Sequence, residues 1–276
     1  MNDVVFSKFD LSGQTAVVTG GAGVLCSVIC RTLASLGARV AVLDLTVDRA
    51  ARLAEEICAA GGDAIGVGCN VLDKASLRTA CAQVIKAFGR VDDLVNGAGG
   101  NHPSATTSAE TKFFDLDETA VQKVFGINFN GTFLACQVFG EQMARQSSGT
   151  ILNIVSMNAI RPLTRIPAYS AAKAAVANFT QWLAVHMAQE YSPLIRVNAI
   201  APGFFLTEQN RYLMTDTDSG GLTPRAQTIL AHTPAGRFGT PEDLLGTVVW
   251  LLSPASAFVT GIVVPVDGGF SAYSGV

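Results

Sequence analysis

The side chains best suited to chemistry are a tyrosine, a lysine and an upstream serine. Tyr169 and Lys173 stand four residues apart in YSAAK, so they share one face of a helix. A tyrosine has a pKa of about 10 and is a poor acid or base at neutral pH unless its anion is stabilised, which a nearby ammonium does. Ser156, at the end of a predicted strand, could donate to a substrate oxygen. The set predicts proton exchange with a carbonyl or alcohol, although each residue alone is commonplace in a helix or at a strand end.

A glycine-rich turn, TGGAGVLC (19–26), joins the first predicted strand to the first predicted helix. Glycines let such a turn approach a pyrophosphate, whose charge is favoured at the helix N-terminus. Many turns contain glycines, so the motif alone is weak. Its position at the start of an alternating α/β pattern favours a dinucleotide site.

Asp44 ends the second predicted strand, where a carboxylate would accept hydrogen bonds from the adenosine ribose. The same carboxylate repels a 2′-phosphate, and the following Leu45 and Thr46 supply no cation. We therefore expect NAD(H) rather than NADP(H). Asp44 could also, or instead, cap the helix that starts near Val47.

Alternating strands and helices must position these groups. The predicted strands are 15–20, 38–45, 64–71, 91–100, 150–156, 196–203 and 262–269, and the predicted helices are 24–36, 46–60, 74–88, about 117–145, 168–190 and one from Pro241. Strands without a polar face indicate a parallel sheet covered by helices on both sides. With no linker or break in composition, residues 1–276 are predicted to form one doubly wound α/β domain.

Composition excludes several classes of protein. The chain has 276 residues, a net charge of −3 and no Lys/Arg cluster, which argues against a nucleic-acid partner. The most apolar stretches, 176–188 and 244–252, fall short of the roughly 20 residues that span a membrane. The N-terminus has no signal-peptide pattern, so we expect a cytoplasmic protein without membrane contact. The six cysteines show no metal-binding spacing; we expect reduced core residues and no metal.

The segment 171–190 is apolar around most of a helical wheel rather than along one stripe. The residues are Val176, Phe179, Trp182, Leu183, Val185 and Met187. A helix apolar on several faces is buried on several faces. In a single-domain protein this predicts a homo-oligomer.

In combination these motifs resemble the short-chain dehydrogenase/reductase family. From about Leu11 to Gly269 they run in order: TGGAGVLC, Asp44, NGAG (96–99), INFNGTF with Asn128, NIVS with Ser156, YSAAK, NAIAPGFFLT (198–207) and VDGG. The resemblance implies a seven-stranded parallel sheet, the interconversion of an alcohol and a ketone with a nicotinamide cofactor, and a homodimer or homotetramer.

The resemblance also implies a role for each matching residue. Tyr169 would exchange the proton, Lys173 would lower its pKa and hold the nicotinamide ribose, and Ser156 would orient the substrate oxygen. Asn128 would position a water of the proton relay. The implied cofactor contacts are Gly20, Gly23, Val24, Leu25, Asp44, Asn70, Val71, Asn96, Ala98, Gly99, Tyr169, Lys173, Pro202, Gly203, Phe205 and Thr207.

Three positions depart from the family pattern. Gly23 comes one residue early for TGxxxGxG, and Cys26 stands where the last glycine would be. Asn70 replaces an aspartate that often touches the adenine, and Gly97 replaces the second asparagine of NNAG. No catalytic group is lost, so the departures concern cofactor geometry.

The substrate is expected to contact loops that follow the strands: 97–107, 157–165 and a lid at about 204–237. Their polar residues suit a polyhydroxylated ligand, and an arginine could bind a carboxylate. The candidate substrate residues are Asn101, His102, Asn158, Arg161 and Arg211. His102 could instead shape a turn before Pro103, and Arg161 and Arg165 could be solvated or interfacial.

Several local segments are similar to the D-mannonate oxidoreductases (fructuronate reductases), a narrower group within this family. They are GAGGNHP, FLTEQNR, GRFGTPEDL and VDGGFSAYSGV. The expected reaction is therefore D-fructuronate reduction and D-mannonate oxidation. Alternatives are another sugar or polyol dehydrogenase, such as a gluconate dehydrogenase, a 3-oxoacyl thioester reductase, or a regulator that senses NAD(H) without catalysis.

Overall fold

One parallel sheet organises the protein. The computed structural model describes residues 2–206, 214–215 and 220–275. The strands are β1 (Thr15–Thr19), β2 (Arg39–Asp44), β3 (Asp63–Gly68), β4 (Asp93–Asn96), β5 (Gly149–Ile154), β6 (Ile195–Pro202) and β7 (Val263–Val266). All pairs are parallel, in the order β3-β2-β1-β4-β5-β6-β7. Strand order reverses between β1 and β4, where doubly wound sheets bind their ligands. The predicted seven-stranded α/β fold is confirmed.

Helices cover both faces of the sheet, which explains why β1, β4 and β6 are buried at every position. The helices are α1 (Asn2–Phe6), α2 (Val24–Ser35), α3 (Val47–Ala59), α4 (Lys74–Phe88), α5 (Glu118–Phe125), α6 (Gly131–Gln146), α7 (Pro167–Glu190), α8 (Pro224–Ala231) and α9 (Leu245–Leu252). One apolar cluster packs α2, α3 and α9 against the sheet, and a second packs α4, α6 and α7 against the other face.

The structure corrects the predicted helices in three places. The helix predicted at about 117–145 is divided into α5 and α6 by a π-helical turn at Gly126–Asn130. The helix predicted from Pro241 begins as a 3₁₀ turn, Pro241–Leu244, held by a capping box between Thr240 and Asp243. In the segment predicted to be irregular, α8 forms behind its N-cap Thr223. Each difference depends on hydrogen bonding that apolar periodicity does not report.

All six cysteines are free thiols, but two are not core residues. Cys58, in the last turn of α3, is exposed, and Cys81 is half-buried; the other four are buried. No group of three acidic, histidine or cysteine side chains among the described residues could hold a metal ion. Over the same residues, no helix is long and apolar enough to cross a membrane.

Candidate active site

Three of the four predicted catalytic side chains face one cleft at the carboxyl ends of the central strands. Ser156 follows the end of β5, and Tyr169 and Lys173 lie in the first two turns of α7. The cleft has a volume of about 360 Å³. Ser156 and Lys173 are more than nine-tenths buried, and Tyr169 is half-buried. A group bound here reaches a hydroxyl, a phenol and an amine within a largely dry site.

Most of the predicted cofactor residues line the same cleft. The predicted residues on its wall are Gly20, Gly23, Val24, Leu25, Gly99, Ser156, Tyr169, Lys173, Pro202, Gly203 and Phe205. They come from the turns after β1, β4, β5 and β6 and from the start of α7. Because parallel strands end at the same sheet edge, residues far apart in sequence meet there.

Burial controls the ionisation of the two titrating side chains. The Lys173 Nζ donates a 2.8 Å hydrogen bond to the carbonyl of Ile154, and burial lowers the pKa of Lys173 to about 8. Burial raises the pKa of Tyr169, and a hydrogen bond with Ser156 opposes that rise. The Lys173 Nζ lies 5.6 Å from the centre of the Tyr169 ring. The hydrogen bond with Ser156 therefore favours the phenolate of Tyr169, against the effect of burial.

Asn128 lies behind the cleft rather than on its wall. The π-helical turn carries it, and its side chain is fully buried. Its amide nitrogen donates to the carbonyls of Gly100 and Val124, both at 2.7 Å, and its oxygen accepts from the Gly100 N–H at 3.2 Å. Asn128 thus fixes the loop after β4. A π-turn is often associated with a functional site, but nothing in local composition indicates one.

The glycine-rich turn has the geometry that a pyrophosphate site needs. Gly20 has φ of +61°, and a Cβ there would lie 2.9 Å from backbone atoms of Ala98. Gly23 is the N-cap of α2, and its N–H donates to the Gly20 carbonyl at 2.9 Å. The helix therefore begins at the cleft with its N-terminus uncovered, which favours an anion.

Two of the departures from the family pattern touch each other. A Cβ built on Gly97 would overlap the sulfur of Cys26, while the Cys26 Cβ lies at an ordinary 3.7 Å. The buried thiol therefore fills the space that a side chain at position 97 would need. Glycine at 97 and cysteine at 26 are a matched pair, a coupling visible only when the β1–α2 and β4–α5 loops are seen together.

A cation that sequence reasoning missed contacts the glycine-rich turn. Asp44 ends β2 and accepts a hydrogen bond from the Thr46 N–H at 3.1 Å. Arg49, in the first turn of α3, donates to the carbonyl of Ala22 in the glycine-rich turn. The expectation of no cation near Asp44 considered only the next two residues, whereas a helix brings a side chain five positions away back to the loop.

Five predicted cofactor residues that the structure describes are not on the cleft wall: Asp44 and the four that follow. The Asn70 side chain accepts from the Leu72 N–H, Val71 is buried, and Ala98 packs beside Gly20. Asn96 is buried, and its amide donates to Asn153 Oδ1 at 2.9 Å and Cys136 Sγ at 3.3 Å. The Asn96 side chain therefore binds neighbouring core elements. Thr207 lies outside the described residues.

The four predicted substrate residues that the structure describes do not line the cleft wall. Asn101 donates to Thr106 Oγ1 at 2.9 Å, and His102 Nδ1 accepts from the Ser104 N–H as an N-cap. Arg161 Nε donates to the Ser271 carbonyl at 3.1 Å. Each of these side chains is engaged by a nearby loop or by the C-terminal segment.

Asn158 differs from the other predicted substrate residues because it is buried. Its backbone N–H donates to Ser156 Oγ at 3.3 Å, which ties it to the catalytic serine. Among the described residues its buried Oδ1 has no hydrogen-bond partner. Arg211 and much of the predicted lid, at 207–213 and 216–219, lie outside the described residues.

Sequence and structure comparisons agree with this geometry. A sequence model of the short-chain dehydrogenase family matches residues 14–218. The chain is a short-chain dehydrogenase. The predicted family and class of enzyme, an oxidoreductase, are confirmed.

Relatives of this short-chain dehydrogenase match it almost end to end. An uncharacterised oxidoreductase of Bacillus subtilis, UxuB, is 53% identical over 97% of this chain and 98% of the relative. A crystal structure of a candidate D-mannonate oxidoreductase from Haemophilus influenzae, with bound NAD, has a TM-score of 0.92 and 47% identity and covers 97% of this chain and 98% of that one. The 5-keto-D-gluconate 5-reductase of Escherichia coli (strain K12) is 32% identical over 98% of each chain.

Proposed function

We propose that this short-chain dehydrogenase reduces D-fructuronate to D-mannonate with NADH, and catalyses the reverse oxidation with NAD. The observation that carries the chemistry is the cleft shared by Ser156, Tyr169, Lys173 and the glycine-rich turn. The named substrate is supported by the relative from Haemophilus influenzae, which is similar over nearly its whole length. A second candidate, reduction of 5-keto-D-gluconate, is supported by the relative from Escherichia coli.

The chain's own residues suit a nicotinamide dinucleotide. The uncovered N-terminus of α2 suits the pyrophosphate, and Gly20 leaves room that a Cβ would remove. The bound cofactor supplies or accepts the hydride. Asp44 favours an adenosine ribose without a 2′-phosphate, so we propose NAD(H). Arg49 bears on this choice, because a guanidinium beside the glycine-rich turn would reduce the penalty for that phosphate.

The proton chemistry belongs to Tyr169. In the reductive direction its phenol donates the proton to the forming alkoxide, while the Ser156 hydroxyl donates to the same oxygen. The raised pKa of Tyr169 keeps the phenol protonated at neutral pH, which suits reduction. Lys173 stays cationic below about pH 8 and is held at the carbonyl of Ile154. Asn128 keeps Gly100 in position beside these groups.

A row of aromatic rings that runs from α5 to the end of α7, exposed at both ends and buried at Phe179, supports the proposal of a homodimer or homotetramer. Its rings contact one another in sequence: Phe125, Phe129, Phe133, Phe179, Trp182, His186 and Tyr191. Trp182 is 56% exposed and Tyr191 55% in the single chain. Large contiguous apolar surfaces mark interaction sites, and we propose that a second copy covers this one. Sedimentation as a monomer at micromolar concentration would contradict this.

The test is NADH consumption across a panel of uronates, ketoses and acyl thioesters. We expect turnover of D-fructuronate that falls by about 10²- to 10⁴-fold in Tyr169→Phe, since one proton donor is lost. The matched control Tyr191→Phe removes a hydroxyl outside the catalytic cleft and should retain activity. Preference for NADPH and an acyl thioester would replace the proposed substrate. NADH binding without turnover of any carbonyl would favour a sensing role instead.

A further inference from the structure

A second cavity adjoins the catalytic cleft and is lined by two arginines. It has a volume of about 490 Å³, within the usual range for small-molecule sites. It lies between α8 and the segment 163–166, which leads into α7. Phe204 lines both the cavity and the catalytic cleft. The cavity and the catalytic cleft therefore adjoin at Phe204.

The two arginines approach the cavity from opposite walls. Arg165 belongs to the segment before α7, and its carbonyl accepts from the Thr107 N–H at 2.9 Å, which fixes the backbone. Arg225 lies at the start of α8. A cation is unfavourable at the start of a helix, so helix stability does not explain Arg225.

Neither guanidinium has an acidic partner within 4.0 Å among the described residues. Arg165 contributes only weakly to the lowered pKa of Glu110. Both arginine side chains are exposed, so either guanidinium can turn toward an anion in the cavity without breaking an ion pair among the described residues. The remaining wall includes the rings of Phe204 and Phe270, which meet edge to face with centroids 5.1 Å apart.

We propose that Arg165 and Arg225 bind the carboxylate of the substrate, so that this enzyme selects hydroxy acids over uncharged sugars. The inference rests on the proposed function and identifies how the same site recognises an acid. Guanidinium groups suit a carboxylate because they donate in a planar fork. The aromatic wall packs against the C–H groups of the carbon chain.

D-Fructuronate and D-fructose provide the test, because they differ only in having a carboxylate or a CH₂OH at one end of the molecule. We expect Arg165→Gln and Arg225→Gln each to lower kcat/KM for D-fructuronate by about 10- to 100-fold, mainly through KM. Reduction of D-fructose should change by less than about threefold. The matched control is Arg161→Gln, because Arg161 donates to Ser271 and is outside the cavity wall; it should leave both substrates unaffected.

A binding measurement separates recognition from catalysis. Calorimetric titration of D-mannonate into the complex of the enzyme with NADH, in which no hydride transfer can occur, should show a comparable weakening of binding in both variants. Equal losses for acid and neutral substrates, or no loss, would overturn the carboxylate site. If the wild-type enzyme reduced D-fructose and D-fructuronate with equal kcat/KM, the carboxylate site would also be overturned. The enzyme would then still be a sugar oxidoreductase. Arginine-dependent turnover of 5-keto-D-gluconate alone would keep the site and replace the proposed substrate.

Discussion

The two sides of the cleft are built in different ways. On the side of α2, the wall is backbone: Gly20 has a positive φ and Gly23 begins a helix whose N–H groups face the cleft. On the side of α8, the neighbouring cavity is lined by long side chains, including Arg165 and Arg225. Where the wall is backbone, only glycine fits at positions such as Gly20, so the sequence there is restricted. A long arginine side chain can contact different groups from the same position, so its contacts do not follow from the sequence alone. The first side is therefore specified by motif and the second by tertiary contacts.

The largest effect should come from giving the backbone wall a side chain. Gly20→Ala strains a positive φ and places a Cβ 2.9 Å from Ala98 backbone, so we expect a loss of about 2 to 4 kcal/mol in unfolding free energy and weaker NADH binding. Gly61→Ala is the matched control: φ is +90°, but nothing lies within 4 Å. It should cost about 1 kcal/mol and leave NADH binding unchanged. If Gly20→Ala and Gly61→Ala lowered the unfolding free energy equally in chemical denaturation, the close approach to Ala98 would not contribute to the loss.

The Cys26–Gly97 contact makes the same wall testable by a double-mutant cycle. Gly97→Ala should destabilise the fold by about 1 to 3 kcal/mol, because its Cβ overlaps the Cys26 sulfur. Cys26→Ala removes only that sulfur, since its Cβ lies at 3.7 Å. The double variant should recover about 1 to 2 kcal/mol relative to the sum of the single variants. Strict additivity in thermal unfolding would mean that the two departures from the family pattern are independent.

The proposed mechanism gives the oxidative and reductive directions different pH dependences. Oxidation would need the phenolate of Tyr169, and burial raises its pKa, so kcat/KM for D-mannonate should rise by up to about tenfold per pH unit from pH 6 to 8, where Lys173 keeps its charge. Reduction needs the phenol, which stays protonated there, so it should lack that rise. An oxidation rate independent of pH, measured with saturating NAD, would remove Tyr169 as the base.

The sequence predicted the sheet, its parallel order and the backbone side of the cleft because these depend on local pattern. Ser156, Tyr169 and Lys173 converge because parallel strands end at one edge. Asn128 at a π-turn and Arg49 reaching the glycine-rich turn were not predicted in these positions, since both depend on contacts across elements. Asn96 and Arg161 had suitable chemistry, but the Asn153 amide and the Ser271 carbonyl engage them.

The smallest effect is expected from a change at His102, in the loop after β4. His102 was a candidate substrate residue, yet its Nδ1 accepts from the Ser104 N–H and caps the 3₁₀ turn Pro103–Ala105. His102→Ala should therefore cost less than about 1 kcal/mol in stability and change kcat/KM for D-fructuronate by less than about twofold. Arg225→Gln, measured in the same assay, should lower kcat/KM for D-fructuronate by at least about tenfold. If His102→Ala lost as much as Arg225→Gln, recognition would lie in the loop after β4, and the arginine-lined cavity would not be where the acid binds.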